Sequence, residues 1–383
     1  MQAKSIKGKS PDEIQAALQQ SMADGFKPSL AVVFISINND IVAVQRILND
    51  LGIQIFGATS SGEFIDGDFS NGEIVVLLLD TNPAYFKILI GDYRDKQPEA
   101  LAREMAAEAM QAFENPSILL SASINITEAT ALLVGEPMLK AIESVTGKEV
   151  IVWGGRAGDD FAFNESVVFT NQQSTKRGII MLVLDGNKML VRGEAASGLK
   201  PVGTEKTITK AIDNWVYEID HQPAAEMVLK YLGLSMTQEE AETFFPREGI
   251  MFSVSREKGD PVIRGVGLFN WKDKSFSVLG TILEGDKIRL TLPPDFETVE
   301  EMSFIAEKVN QEEIQGADAL LMFSCIGRLG QFGPLVSDEI EGVRKAFKAP
   351  MAGFFTYGEF GRTKNGNNEF HNSTCCWVVL KEK

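Results

Sequence analysis

Cysteine, histidine and positive charge are all scarce in this 383-residue chain. Three cysteines, two of them adjacent at Cys375 and Cys376, cannot build a disulfide framework. His221 and His371 are the only histidines, and neither has a partner at His-x-x-His or Cys-x-x-Cys spacing, which argues against a zinc site. Lys and Arg number 37 against 53 Asp and Glu, a net charge of −16. That balance disfavours nucleic acid, which is held through cations on phosphates, and anionic membrane surfaces. The longest apolar runs, such as IVVLLL (74–79), fall far short of the ~20 residues a membrane span needs. No apolar stretch follows the first lysines, so no export signal is expected and the setting is read as cytoplasmic. Three catalytic or nucleotide signatures are missing as well: the P-loop, G-x-G-x-x-G opening a helix, and G-x-S-x-G.

What is present is a repeat. GATSSGE from Gly57, GGRAGDD from Gly154 and GFFTYGE from Gly353 each follow a strand–helix–strand pattern and precede further strands. Such repetition predicts a duplicated architecture whose turns gather at one place. Near-continuous apolar runs such as LAVVFISI (30–37) fit strands covered on both faces. Ser10, Pro11 and Glu13 predict a capped first helix, and TNP (81–83) is read as a hairpin between two strands. Between about 250 and 291 the strands follow one another with no helix between them. The length favours two domains, placed at 1–212 and 213–383. The fold class is α+β, with packed mixed sheets, outer helices and internally repeated strand–helix–strand units.

The turns carry the candidate ligand groups. Thr59, Ser60, Ser61 and Tyr357 supply hydroxyls; Glu63, Asp159, Asp160 and Glu359 supply carboxylates; Arg156, Arg328 and Arg362 supply forks suited to a carboxylate. Both signs of charge fit a zwitterion, such as an amino acid or small metabolite, better than a phosphate. The bland reading is that these arginines pair internally with the acids and the glycines only close turns. Cys325 in FSCIGR is either a nucleophile of a hydrolase-like enzyme or, more commonly for such a position, a small core residue. A lone histidine suffices for haem, so His221 and His371 are candidate axial ligands, or else histidines hydrogen-bonded at element ends.

GATSSGE, GGRAGDD, VRGEAASGLKPVG, FSCIGR, GFFTYGEFG and HNST occur here in the order in which they stand in FIST proteins, and the chain resembles that family from about residue 28 onward. The resemblance implies an N-terminal and a C-terminal FIST domain forming a non-enzymatic sensor, with a small ligand bound between them. It implies signal output through a separate partner, such as a histidine kinase or a diguanylate cyclase. A subset of similar length binds haem and senses nitric oxide, which is the alternative reading. His371 lies in a stretch that recurs in the family, whereas His221 stands where many members carry glycine or a polar residue.

Overall fold

The computed structural model describes residues 1–124, 135–235, 240 and 249–383. Its α+β architecture is a unit used three times. The first unit runs β1 (Gln2–Gly8), α1 (Pro11–Met22), β2 (Leu30–Ser36), α2 (Ile41–Asp50), β3 (Gln54–Ser60), β4 (Glu63–Ile65), β5 (Asp68–Ser70) and β6 (Ile74–Asp80). The second repeats that order as β7 (Phe86–Asp92), α3 (Pro98–Ala112), β8 (Pro116–Ala122), α4 (Gly135–Thr146), β9 (Val152–Gly155), β10 (Val168–Phe169), β11 (Ser174–Thr175) and β12 (Gly178–Asp185).

The third unit starts with β13 (Met189–Ala196) and is then interrupted. The interruption holds β14 (Pro201–Ile212), β15 (Trp215–Ile219), β16 (Gln222–Pro223), α5 (Ala224–Tyr231), β17 (Met251–Val254), β18 (Val262–Asn270), β19 (Ser275–Val278) and β20 (Lys287–Thr291). The unit then resumes with the helix Phe296–Val309, β21 (Ala319–Cys325), the helices Ile326–Phe332 and Leu335–Phe347, β22 (Met351–Thr356), β23 (Glu359–Arg362), β24 (Asn368–His371) and β25 (Cys375–Glu382).

Each unit builds a six-stranded sheet but finishes it with a neighbour's hairpin. The orders are β1-β6-β2-β3-β10-β11, β7-β12-β8-β9-β23-β24 and β13-β25-β21-β22-β4-β5. In each, the two strands joined by a helix are parallel (β2/β3, β8/β9, β21/β22), as a helical crossover requires. The exchange is cyclic: unit one lends to unit three, unit two to unit one, and unit three to unit two. The inner faces share one core that includes Phe34, Phe56, Leu119, Trp153, Leu182, Phe323, Phe354 and Val378. The outer faces carry the helices, with a separate apolar cluster beneath those of each unit. Inserted strands β14 to β20 form a seven-stranded antiparallel sheet with a core of its own around Phe252 and Phe276. The boundary after residue 212, where the sequence reading divides the chain, falls at the end of β14, in the turn to its paired strand β15.

Local chemistry explains the punctuation. Ser10 caps α1 by accepting from the Glu13 N–H at 3.3 Å, and the Glu13 carboxylate accepts from the Lys9 N–H at 2.8 Å. Gly57 and Gly353 leave room for aromatic rings of the borrowed hairpins, because a Cβ at either position would overlap Phe169 or Phe64 respectively. The hairpin expected around TNP does not form. Asn82 and Pro83 start a short helical turn, and β6 and β7 part to pair with β1 and β12 in different sheets.

Candidate functional site

The three turns meet, as their shared spacing predicts, and they lock one another. The Ser61 N–H donates to the Phe355 carbonyl at 3.1 Å, the Tyr357 N–H to the Arg156 carbonyl at 3.2 Å, and the Gly158 N–H to the Thr59 carbonyl at 2.9 Å. Each turn therefore bonds the next around a closed ring. The Thr59 hydroxyl donates to the Gly158 carbonyl at 2.6 Å and accepts from the Val167 N–H at 2.9 Å. Ser61 Oγ accepts from the Asp159 N–H at 3.3 Å.

Glu63 and Glu359 occupy equivalent positions, facing Phe354 and Gly155 across their borrowed strands. Both are fully buried. Glu63 accepts from the Ser60 hydroxyl and from the Glu73 N–H at 3.0 Å, while Glu359 accepts from the Thr356 hydroxyl at 2.5 Å. Burial raises Glu63 to about 7 and Glu359 to about 8. The strand register puts Val168, not Asp159 or Asp160, at the equivalent place in the second unit. Asp159 instead gathers its own loop, accepting from the N–H groups of Phe163, Asn164 and Glu165 at 3.0, 2.7 and 2.9 Å and from the Tyr357 hydroxyl at 2.5 Å. Asp160 accepts from Ser36 Oγ at 2.5 Å and Asn38 Nδ2 at 2.8 Å.

The arginines are brought to different places. Arg328 is fully buried and ion-paired to Glu339, and its Nη1 donates to the carbonyls of Ser197 and Ser373 at 2.8 Å each. It is a strut between helix and strands rather than an open fork. Arg362 is held by Asn368 at 2.7 Å and by main-chain carbonyls of Lys148 and Val150. Arg156 lies buried behind the turns, with its pKa brought down to about 10 by burial. Cys325 sits near Glu359, and burial together with that carboxyl pushes its thiol up, away from the thiolate a nucleophile needs.

The two histidines sit in opposite settings. His371 is buried, its Nε2 lies 3.3 Å from the Gly361 carbonyl, and burial with Arg264 nearby brings its pKa down to about 3. His221 lies on an exposed turn between β15 and β16 at φ +61°, where its N–H donates to Thr209 Oγ1 at 2.9 Å. Neither ring lines a described cavity, and no three metal-ligating side chains cluster among the described residues.

A cleft that the turn motifs gave no sign of lies where the inserted sheet docks on the second unit. It has a volume of about 310 Å³ and is lined by α4, the loop after β17, the segment 281–286 and the start of β24. Lys140, Lys148 and Arg256 face Glu136, Glu143, Glu257, Asp286 and Glu369 within it. Behind it Arg264, with no exposed surface, bonds Glu136 at 3.1 Å and the Phe370 carbonyl at 2.9 Å. Burial alone would raise Glu136, but Arg264 and Lys140 outweigh it and hold the carboxyl below its ordinary value. Glu143 goes the other way, pushed up by burial while Asn368 donates to it at 3.1 Å. Arg256 pairs with Glu369 at 3.0 Å, and both side chains remain about one-fifth exposed at 19% and 20%. The signal that could have exposed this site is Arg264 itself, a charge within the apolar strand PVIRGVGLFN.

The chain is thus a threefold α+β body with an inserted sheet and a polar cleft at their junction. A model of the FIST N domain matches residues 29–222 and one of the FIST C domain matches residues 224–362. The chain belongs to the FIST family, whose domains are sensory modules of signal transduction that bind small ligands. Among curated proteins none matches the chain. Among solved structures, a cyanuric acid hydrolase from A. caulinodans aligns over 100% of this chain and 99% of that one, at 8% identity and a TM-score of 0.36. A likeness that low carries nothing about activity. No described helix is long and apolar enough to cross a membrane.

Proposed function

We propose that the protein is a small-ligand sensor of signal transduction whose ligand is a zwitterion, an amino acid or similar metabolite, bound in the cleft between α4 and the inserted sheet. The observation that carries this reading is the cleft's composition. Cationic and anionic side chains face one space, joining residues matched by the N-domain model to residues matched by the C-domain model. A ligand carboxylate takes Arg256, and its ammonium takes Glu143 or Asp286. The turns that attracted attention in the sequence serve as the hub that holds the units together. Their hydroxyls and N–H groups are consumed by one another.

Binding draws the inserted sheet against the second unit, and a separate histidine kinase or diguanylate cyclase reads that change in placement. The test is thermal stabilisation by a panel of amino acids and charged metabolites. A zwitterion that raises Tm, and loses its effect in both Arg256→Ala and Glu143→Gln, supports the reading. Stabilisation that survives both substitutions, or a panel with no effect, would sink it.

A further inference from the structure

The cyclic exchange of hairpins creates three equivalent seams, each between the edge strand of one sheet and the hairpin lent to another. Two are closed. Between β1 and the β4–β5 hairpin, Ser5 bonds Asp66, Lys7 bonds Asp68, and Lys7 also lies 3.6 Å from Glu73. Between β13 and β23, Gly361 packs so directly on Ala195 that an added Cβ would lie 3.1 Å from Ala195 Cβ.

The seam between β7 and the β10–β11 hairpin is different. Thr175 Oγ1 donates to Asp92 at 2.6 Å at one end, and beyond it the seam opens into a cavity of about 550 Å³. One wall is the edge of β7 with Ile88 and Ile90, a strand hydrogen-bonded to β12 alone among the described residues. The other carries the exposed amides Gln54 and Gln172. Asn171 fixes that wall by accepting from the Ile55 N–H at 2.9 Å and donating to the Ile53 carbonyl at 2.7 Å. The single charged lining residue, Glu108, is paired with Lys87 at 2.8 Å.

We infer that this open seam is a second binding site, which takes an uncharged, amide-bearing ligand of metabolite size. Its volume falls within the range of small-molecule sites. Its polar groups are side-chain amides and the free edge of a strand, all of which present donor and acceptor side by side and so match another amide. A charged ligand finds no unpaired opposite charge there and would lose hydration without return. Ile88, Ile90 and Met105 supply the apolar contact. The inference is independent of the zwitterion reading.

The test is methyl NMR of the full chain, labelled at Ile and Met, titrated with N-acetyl-leucinamide and separately with leucine, which has the same side chain but carries both charges. Saturable shifts of the Ile88, Ile90 and Met105 methyls with the blocked probe alone are expected. The midpoint should rise about tenfold in the Gln54→Leu/Gln172→Leu double variant, as loss of a hydrogen bond or two implies. No saturable shift at these methyls, an equal response to leucine, or a midpoint indifferent to the double variant overturns the inference.

Discussion

The charged cleft and the open seam are both cavities between pieces of the same chain, yet they are built from opposite materials. The cleft, about 310 Å³, holds eight ionisable side chains, whereas the seam, about 550 Å³, holds one that is already paired. The cleft owes its character to the insertion, which brings a foreign surface and the buried Arg264 against α4. The seam arises instead from the repeat, at a join where side chains leave a gap that contacts fill in the other two among the described residues. Insertion and repetition thus make different kinds of site, and variants can separate them.

The largest effect should come from Glu136→Ala. It leaves Arg264 buried without its partner, at a cost of about 3–5 kcal/mol in a urea-unfolding measurement. The seam should keep its amide response at concentrations where the variant remains folded, so loss of both together would show that the two cavities are not separable. Next is Arg256→Ala. This side chain is partly exposed, so stability should change by less than about 1 kcal/mol. The affinity for a zwitterion should fall by about one to two powers of ten, read by calorimetry, because a hydrogen bond to a charged group contributes about 1.5–3 kcal/mol.

Acidity offers a third separation. Because burial raises Glu143, its proton is taken up as pH falls at a higher value than for an ordinary glutamate, and the cleft then loses an anion for the ligand's ammonium. Zwitterion binding should weaken as pH falls toward the ordinary carboxylate range, while amide binding in the seam stays flat. The turn hub has its own signature. Glu359 is raised to about 8 in the fold, so its contribution is complete below the ordinary carboxyl value and is lost as pH rises through about 8. His371, lowered to about 3, acts in the opposite sense, costing stability as pH falls below its ordinary value. Stability should therefore decline between near-neutral pH and about 8, and Glu359→Gln should flatten that limb in thermal melts. A slope unchanged by the substitution would mean that Glu359 ionises freely in the fold.

Much of the hub was legible in the sequence, and little of the cleft. The glycine-bracketed turns are local patterns, so their repetition at Gly57, Gly154 and Gly353 correctly foretold a meeting point and repeated units. The acidic residue of the middle turn misled, because the loop from Asp159 to Val167 is longer than its counterparts and the register passes to Val168. Strand exchange was invisible for a different reason. Whether Phe64 pairs within its own unit or against Gly353 depends on contacts hundreds of residues apart, which no local pattern records. The adjacency of β6 and β7 likewise suggested a hairpin, yet the two belong to different sheets. An arginine beside a strand end looks available, and nothing in FSCIGR tells that Glu339 takes Arg328.

The most direct measurement is methyl NMR of the protein with whichever amino acid stabilises it most, following Leu139 and Leu283 in the cleft. Shifts concentrated at those two methyls, absent in Arg256→Ala, are the expected result. Shifts concentrated at Thr59 and Thr356 with the cleft methyls unmoved would place the ligand at the turns and contradict the cleft as the sensor's site.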